Sequence, residues 1–357
     1  MAFYIVFPLF LIVMAFWGRK NPHVGKIVVL LMLFFSMFRG EYVGVDTAHY
    51  MDETSIRYWG ADYELSDGLN FELVYIYLMR LLYSYGLSPR YVIAFYSVIT
   101  ILFLYLALKR FKVNVAAGAL FFYLLTFYLQ SFNAARQMAA VSLLLYATSF
   151  LLEEGAQKWK FWLWFTLATF THTSAFLAIV MWFADRVQFN KKNIGIFVVV
   201  FCAIALVVPL YNIVTNILEL FGSEFRYAKY GADIDYEIQD LTILGIMFKL
   251  IVALLLYVVF LDKRHDKKTD WLDNLLLLSM IVTSLFNYSD QVTKRVVYNF
   301  TIIQCPYLAM YFFDKSNKNT SKKRVIFWMF VIMLMYEAIG FSFNLGKSGY
   351  YLEFNLF

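Results

Sequence analysis

The chain has 357 residues, of which 62% are hydrophobic and 16% charged, with a formal net charge of +6. A soluble domain is about 45–50% apolar and about 25% charged, so this excess of apolar side chains could not be hidden in a water-soluble core of this size. The composition excludes a soluble enzyme and points to an all-α polytopic membrane protein, because long helices satisfy their own backbone groups in lipid and open strands do not.

The start, Met1 to Trp17, has neither the basic opening nor the small-residue cleavage site of a signal peptide, so a first crossing is expected at Phe3–Trp17. Further crossings are expected at Ile27–Phe38, Tyr91–Leu108, Val115–Phe132, Ala134–Leu152, Ile194–Ile217, Leu241–Leu261, Trp271–Tyr288, Val296–Phe313 and Val325–Phe343. Two segments are equivocal. Phe71–Tyr85 is short and carries Arg80, and Phe161–Phe183 is an apolar run broken by Thr171, His172, Thr173 and Ser174.

Charge sets the expected orientation. Gly18–Lys26, Lys109–Asn114, Glu153–Lys160, Asp185–Asn193, Asp262–Asp270 and Asp314–Arg324 hold 20 of the 31 Lys and Arg residues. Short basic loops stay in the cytoplasm. All six can do so only if Phe71–Tyr85 lies at the outer surface or dips in and returns, and if Phe161–Phe183 is a hairpin turning back near Thr171–Ser174. The outcome is ten full crossings in one integral membrane domain, residues 1–357, with both termini outside. The alternative, in which one or both segments cross, puts a basic loop outside. The net positive charge is spread through these loops, which argues against nucleic acid as a partner.

Two long outer loops follow, residues 39–70 and 219–240, rich in acids and in aromatics such as Tyr42, Tyr58, Trp59, Tyr227 and Tyr236. Their aromatic content argues against plain disorder. Four arginines stand near the expected outer boundary: Arg39, Arg136, Arg226 and Arg295. A boundary cation is a functional candidate, and guanidinium offers a planar donor fork that matches phosphate oxygens in pairs. The bland reading is snorkelling to lipid phosphate or pairing with loop acids.

The densest cluster runs from Phe38 to Tyr50 and contains Arg39, Gly40, Glu41, Gly44, Asp46, His49 and Tyr50. Its glycines permit tight backbone beside a ligand. Asp46 is a candidate general base, or else a helix cap or turn residue. His172, inside an apolar run, is a candidate acid, base or hydrogen-bond donor, or else a structural imidazole bonded to a neighbouring helix. Cys202 and Cys305 lie in apolar segments and make no disulfide framework. There is no HExxH, CxxC or Walker A motif. No metal and no cofactor is therefore expected.

The order of these pieces resembles the EpsG family of Wzy-like exopolysaccharide polymerases. The matching residues are Arg39, Gly44, Asp46 and Tyr50; Phe71-Glu72; Asn133-Ala134-Ala135-Arg136-Gln137-Met138-Ala139; Phe170-Thr171-His172-Thr173-Ser174-Ala175; Arg226-Tyr227-Ala228-Lys229-Tyr230; and Arg295 with Tyr298. Asp46-Thr47 departs from the Asp-Tyr pair expected after Gly44. The resemblance implies a bacterial plasma-membrane protein similar in architecture to the all-helical, GT-C-like lipid-dependent glycosyltransferases. It implies a substrate of oligosaccharide repeat units on undecaprenyl diphosphate at the outer leaflet, for O-antigen, capsule or exopolysaccharide, with a flippase and a chain-length regulator as partners. Arg39, Arg136, Arg226 and Arg295 would hold the diphosphate, and Asp46 or His172 would take the acceptor proton. Gly44, Tyr50, Gln137, Tyr227, Tyr230 and Tyr298 would support them. A glycan ligase, a flippase for the same lipid, an acyltransferase using His172 and a structural subunit are the competing classes.

Overall fold

A computed structural model describes residues 2–41, 43–62, 73–152, 157–184, 243–262, 270–286, 291–314 and 320–347, and among them there is no β-strand. The helices are α1 (Ala2–Gly18), α2 (His23–Met37), α3 (Val45–Tyr50), α4 (Glu53–Arg57), α5 (Leu73–Ser84), α6 (Arg90–Arg110), α7 (Val115–Leu124), α8 (Phe127–Gln130), α9 (Ala135–Thr148), α10 (Trp159–Thr171), α11 (Ile243–Asp262), α12 (Asp270–Phe286), α13 (Gln291–Thr301), α14 (Gln304–Phe313) and α15 (Ser321–Lys347). A π-helical turn follows α4 at Tyr58–Asp62, and 3₁₀ segments follow α9 at Ser149–Leu152 and α10 at Thr173–Phe183. Among the described residues, three helical stretches are long and apolar enough to cross a membrane by length and composition: Arg90–Arg110, Ala135–Leu152 and Val296–Phe313. The chain is a membrane protein.

The contacts form two compact units. The first comprises Met1–Glu64, Phe71–Phe176 and Gln304–Phe357; the second comprises Leu65–Asn70 and Leu177–Ile303. In the second, α12 packs on α11 and α13, and the Asn274 amide donates to the Ala184 carbonyl at 2.6 Å. The expected crossing Ile194–Ile217 and the outer loop 219–240 lie outside the described residues.

The first unit is built around α7. Its opening run of Ala116, Ala117, Gly118 and Ala119 is small, and every residue from Ala116 to Leu124 is buried. Helices α1, α2, α6, α14 and α15 all pack on it. A Cβ on Gly118 would run into the Leu108 side chain of α6. Lipid supplies no hydrophobic drive between helices, so close backbone approach of this kind is what holds them. Aromatic contacts fill the remaining space, including Phe7 with Tyr123 and Phe16 with Phe327.

Two expected crossings are interrupted. Val115–Phe132 breaks at Thr126, a non-glycine residue at φ 65°, which leaves α7 and α8 as separate pieces. Val296–Phe313 has a turn at Ile302 and Ile303, because Pro306 has no amide to bond the Ile302 carbonyl.

The two equivocal segments do not run as simple spans. Helix α5 has 12 residues, about 18 Å, well short of the roughly 30 Å hydrocarbon layer. Its Tyr75, Leu78, Met79 and Leu82 cluster with Val92, Ile93, Tyr96, Ala135 and Ala139, the opening turns of α6 and α9. Helix α10 stops at His172, which is extended (φ −156°, ψ 122°). The Phe176 ring then lies 6.5 Å from the Phe165 ring, whereas a straight helix would separate those residues by about 16 Å. The helix ends and the chain bends at the Thr171–Ser174 break.

Charge divides the first unit into two ends. Gly18 abuts Asn114, Arg110 donates to Ser149 Oγ at 2.9 Å, Lys160 lies over the Phe150 ring, and Lys323 over the Tyr311 ring. The basic connections after α1 and α6, and those before α10 and α15, therefore share one end. The loop carrying Arg39 and the starts of α6 and α9 sit at the other.

Asn114 joins two helix ends at the basic pole. Its Nδ2 donates to the Ala15 carbonyl of α1 at 2.8 Å, and its Oδ1 accepts from the Ala117 amide of α7 at 3.3 Å. Asn114→Ala orphans both groups and is expected to cost about 1–2 kcal/mol, read as a lowered melting temperature of the detergent-purified protein. An unchanged melting temperature would remove this double cap from the account of the fold.

Candidate functional site at the ends of α2 and α9

Helix α2 ends at Met37, and the chain turns inward so that Arg39 is 0% exposed. Its guanidinium is solvated by neutral groups. Nη1 donates to the Ser36 carbonyl at 2.5 Å and faces the hydroxyls of Ser36 and Ser97 at 3.5 and 3.4 Å. Nε donates to Thr47 Oγ1 at 3.1 Å. The Phe132 ring centroid lies 5.0 Å from Cζ. Nη2 has no hydrogen-bond partner among the described residues. Burial pulls the Arg39 pKa down to about 10, so the group remains a cation at neutral pH.

Thr47 belongs to α3, which is seated by Gly44. That residue has φ 97°, and a Cβ there would collide with the Phe132 carbonyl. The Thr47 hydroxyl accepts from Arg39 and gives its own proton to the Val43 carbonyl at 2.8 Å, with the Phe132 carbonyl at 3.1 Å as a second acceptor. Tyr50 follows three residues later on the same helical face. Its hydroxyl accepts from Arg136 Nε at 3.1 Å. One turn of α3 thus holds two arginines, each by Nε.

Arg136 stands in the first turn of α9, and the Tyr75 ring centroid lies 4.5 Å from its Cζ. Tyr75 and Tyr50 are both buried, at 2% and 3% exposure, and their ring centroids are 6.2 Å apart. Gln137 is buried beside Arg136. Arg90, at the start of α6, donates through Nη2 to the Arg39 carbonyl at 3.1 Å, bringing a third guanidinium to this end.

His172 caps α10. Its Nδ1 lies 2.8 Å from Ser174 Oγ and accepts from the Ser174 amide at 3.3 Å. With Nδ1 an acceptor, the neutral ring carries its proton on Nε2. Helices α9 and α10 are antiparallel, with Tyr146 against Trp164 and Phe150 beneath Lys160. That register carries His172 to the level of the first turn of α9, where Arg136 begins.

The structure therefore brings together Arg39, Gly44, Tyr50, Arg136 and Gln137, with His172 at the same end. Asp46 is in the first turn of α3, but its side chain lies outside what is described. Arg295 and Tyr298 are in α13 of the second unit, and the Arg295 side chain is likewise outside the description. Arg226, Tyr227 and Tyr230 lie outside the described residues. Ser36, Thr47, Tyr75, Arg90 and Ser97 are the contributors that sequence reasoning missed. The Thr47–Tyr50 spacing was the available signal; Tyr75 and Ser97 meet the arginines only through tertiary packing. No group of three His, Cys, Asp or Glu side chains suited to a metal occurs among the described residues.

An all-helical membrane protein with one buried and two partly buried arginines gathered at the end opposite its basic loops is the class that fold and site define. The EpsG family model matches residues 24–355. The chain belongs to the EpsG family, a family of Wzy-like polysaccharide polymerases. No curated relative matches it, and no solved structure does.

Gly44→Ala forces a left-handed Cβ against the Phe132 carbonyl and is expected to destabilise the protein by more than about 2 kcal/mol. Gly340→Ala is the control: a Cβ there meets nothing within 4 Å, and in α15 the change should be neutral or stabilise by about 0.5–1 kcal/mol. Melting temperatures of the two variants check both signs.

Proposed function

We propose that the chain is a glycosyltransferase that joins oligosaccharide repeat units linked to undecaprenyl diphosphate on the outer face of the bacterial plasma membrane. The growing glycan leaves its undecaprenyl diphosphate and is passed to a hydroxyl of the incoming unit. The bond between the anomeric carbon and the diphosphate oxygen breaks, and a new glycosidic bond forms. The acceptor proton goes to a base, and undecaprenyl diphosphate is released. The diphosphate already activates the sugar, so neither ATP nor a metal is needed for the transfer. A GT-C-like arrangement, supply by a flippase and control by a chain-length regulator belong to the same reading.

The observation that carries it is the pair of guanidiniums held by one turn of α3, with neutral partners for Arg39 throughout. Charge grows on the leaving diphosphate as the bond breaks, and preplaced donors stabilise it more in the transition state than in the ground state. Arg39 and Arg136 are assigned this role, with Arg226 and Arg295 joining them. The basic end then faces the cytoplasm, in line with the positive-inside rule. The Ser174 contact offers His172 as an Nε2–H donor, which suits an acceptor sugar or leaving oxygen and gives the base role to Asp46.

Arg39→Ala and Arg136→Ala are expected to purify as monodisperse protein yet lose about 10²–10³-fold in polymer formed from purified lipid-linked repeat units. Full polymerisation by both variants would remove the phosphate role. Ladders on a gel identify a polymerase, and a single transfer a ligase. Asp46→Asn should abolish turnover, while His172→Gln should retain part of it; the reverse order would exchange the two roles.

Tyr75 is expected to act as a positioning residue for Arg136. Tyr75→Phe keeps the ring beneath the guanidinium and should turn over normally. Tyr75→Leu removes it and should raise KM for the donor lipid by about threefold to tenfold, with little further loss in an Arg136→Lys background. Equal KM values for the Phe and Leu variants would discard this role.

A further inference from the structure

We propose that Ser97 is a positioning residue of the diphosphate site. It holds Arg39 in place without cancelling its charge, so that Nη2 of Arg39 is the atom offered to a phosphate oxygen. The inference rests on the polymerase reading and adds to it a contact atom and the residue that keeps that atom available.

The Arg39 guanidinium carries its N–H groups on three nitrogens in one plane. Nε donates to Thr47 Oγ1 at 3.1 Å, and Nη1 to the Ser36 carbonyl at 2.5 Å. The remaining Nη1 proton faces two hydroxyls, Ser36 Oγ at 3.5 Å and Ser97 Oγ at 3.4 Å. Those hydroxyls lie 2.8 Å from each other. Because the group is planar, fixing Nε and Nη1 also fixes the direction of Nη2. That nitrogen is buried and makes no hydrogen bond among the described residues. A buried donor left without an acceptor is destabilising, more so on a charged group, and an anion oxygen would satisfy it. With Nε and Nη1 engaged, Arg39 meets an anion end-on through one nitrogen, not through the two-nitrogen fork that guanidinium commonly gives phosphate.

Ser97 sits on α6 and is buried. It lies two helical turns after Arg90, on the same face of the helix. Arg90 Nη2 donates to the Arg39 carbonyl at 3.1 Å. One face of α6 therefore holds Arg39 by its main chain and by its side chain.

Magnitudes decide what position 97 does. A neutral hydroxyl at 3.4 Å is a long, weak partner. A carboxylate at the same place would act through charge, which is strong at that separation and poorly screened in a buried site. It would pair with Nη1 and cancel the charge that Nη2 presents. Serine contributes less to holding Arg39 than an acid would, and it leaves the cation's charge intact.

The test is native mass spectrometry of the full-length protein with undecaprenyl diphosphate and with undecaprenol, the same lipid without the charge. Melting temperatures are taken in parallel. Wild type should retain the diphosphate preferentially. Ser97→Asp should lower that preference by about tenfold or more, as Arg39→Ala does, with a melting temperature at or above that of wild type. Ser97→Ala should lower it by about threefold, and Ser97→Thr should recover it. In an Arg39→Ala background, Ser97→Ala should add nothing, because the serine acts through the arginine. A Ser97→Asp variant that prefers the diphosphate as wild type does would overturn the inference. Equal retention of both lipids by wild type would do the same, as would an undiminished Ser97→Ala effect in the Arg39→Ala background. Polymer formation is the separate arm. If lipid preference follows Arg39 and Ser97 while Arg39→Ala polymerises normally, the contact at Nη2 stands and the polymerase reading of this site falls.

Discussion

The Arg39 guanidinium is a buried cation with no counter-charge among the described residues, and the construction of its end of the molecule follows from keeping it solvated. Removing an ion from water costs several kcal/mol even after relaxation. Hydrogen bonds to a charged group return about 1.5–3 kcal/mol each. Here they come from the Ser36 carbonyl and from the Ser97 and Thr47 hydroxyls, and the face of Phe132 adds a cation–π contact. These partners belong to α2, α6, α3 and the stretch before α9. A single side chain thus ties four segments together, and Gly44 is the residue that lets α3 come close enough to take part.

The choice of partners matters as much as their number. A carboxylate would bind Arg39 more strongly, but it would cancel the charge that an incoming anion must feel. Hydroxyls and carbonyls satisfy the donors and leave the field intact, in surroundings where water does little to screen it. Arg136 has the phenol of Tyr50 and the ring of Tyr75 against it. The first unit therefore has two kinds of cation. Those near the connections of the basic end include the half-buried Arg19 and the exposed Lys112, whereas Arg39 is fully buried and Arg136 is held against two tyrosines.

Much of the fold was legible because apolar run length is a one-dimensional signal. The expected crossings over Tyr91–Leu108 and Val325–Phe343 coincide with α6 and α15 to within a few residues. The breaks were harder. Thr126 interrupts α7–α8 through a single left-handed residue that composition does not betray, while the polar run Thr171–Ser174 announced the end of α10 openly. At the site, the Arg39–Tyr50 cluster and Arg136 stood out because charged and aromatic residues are rare beside apolar helices. Thr47 was noticed only as a departure from an expected Asp-Tyr pair, yet its hydroxyl is the Nε acceptor for Arg39. Ser97 could not be found at all. It meets Ser36 at 2.8 Å across 61 residues of chain, and nothing local in the sequence marks that meeting.

Short α3 explains why the two arginines act as one feature. Six residues are too few for a helix to be stable alone, so α3 exists only while both faces of its contacts are made. Thr47 needs Arg39 and the Phe132 carbonyl; Tyr50 needs Arg136 and the aromatic cluster with Tyr75 and Tyr96. Loss of either guanidinium would loosen the turn that positions the other. The arginines are therefore coupled through the element that holds them, and because Asp46 lies in that same turn, the spacing between the cations and the candidate base is set by one local structure.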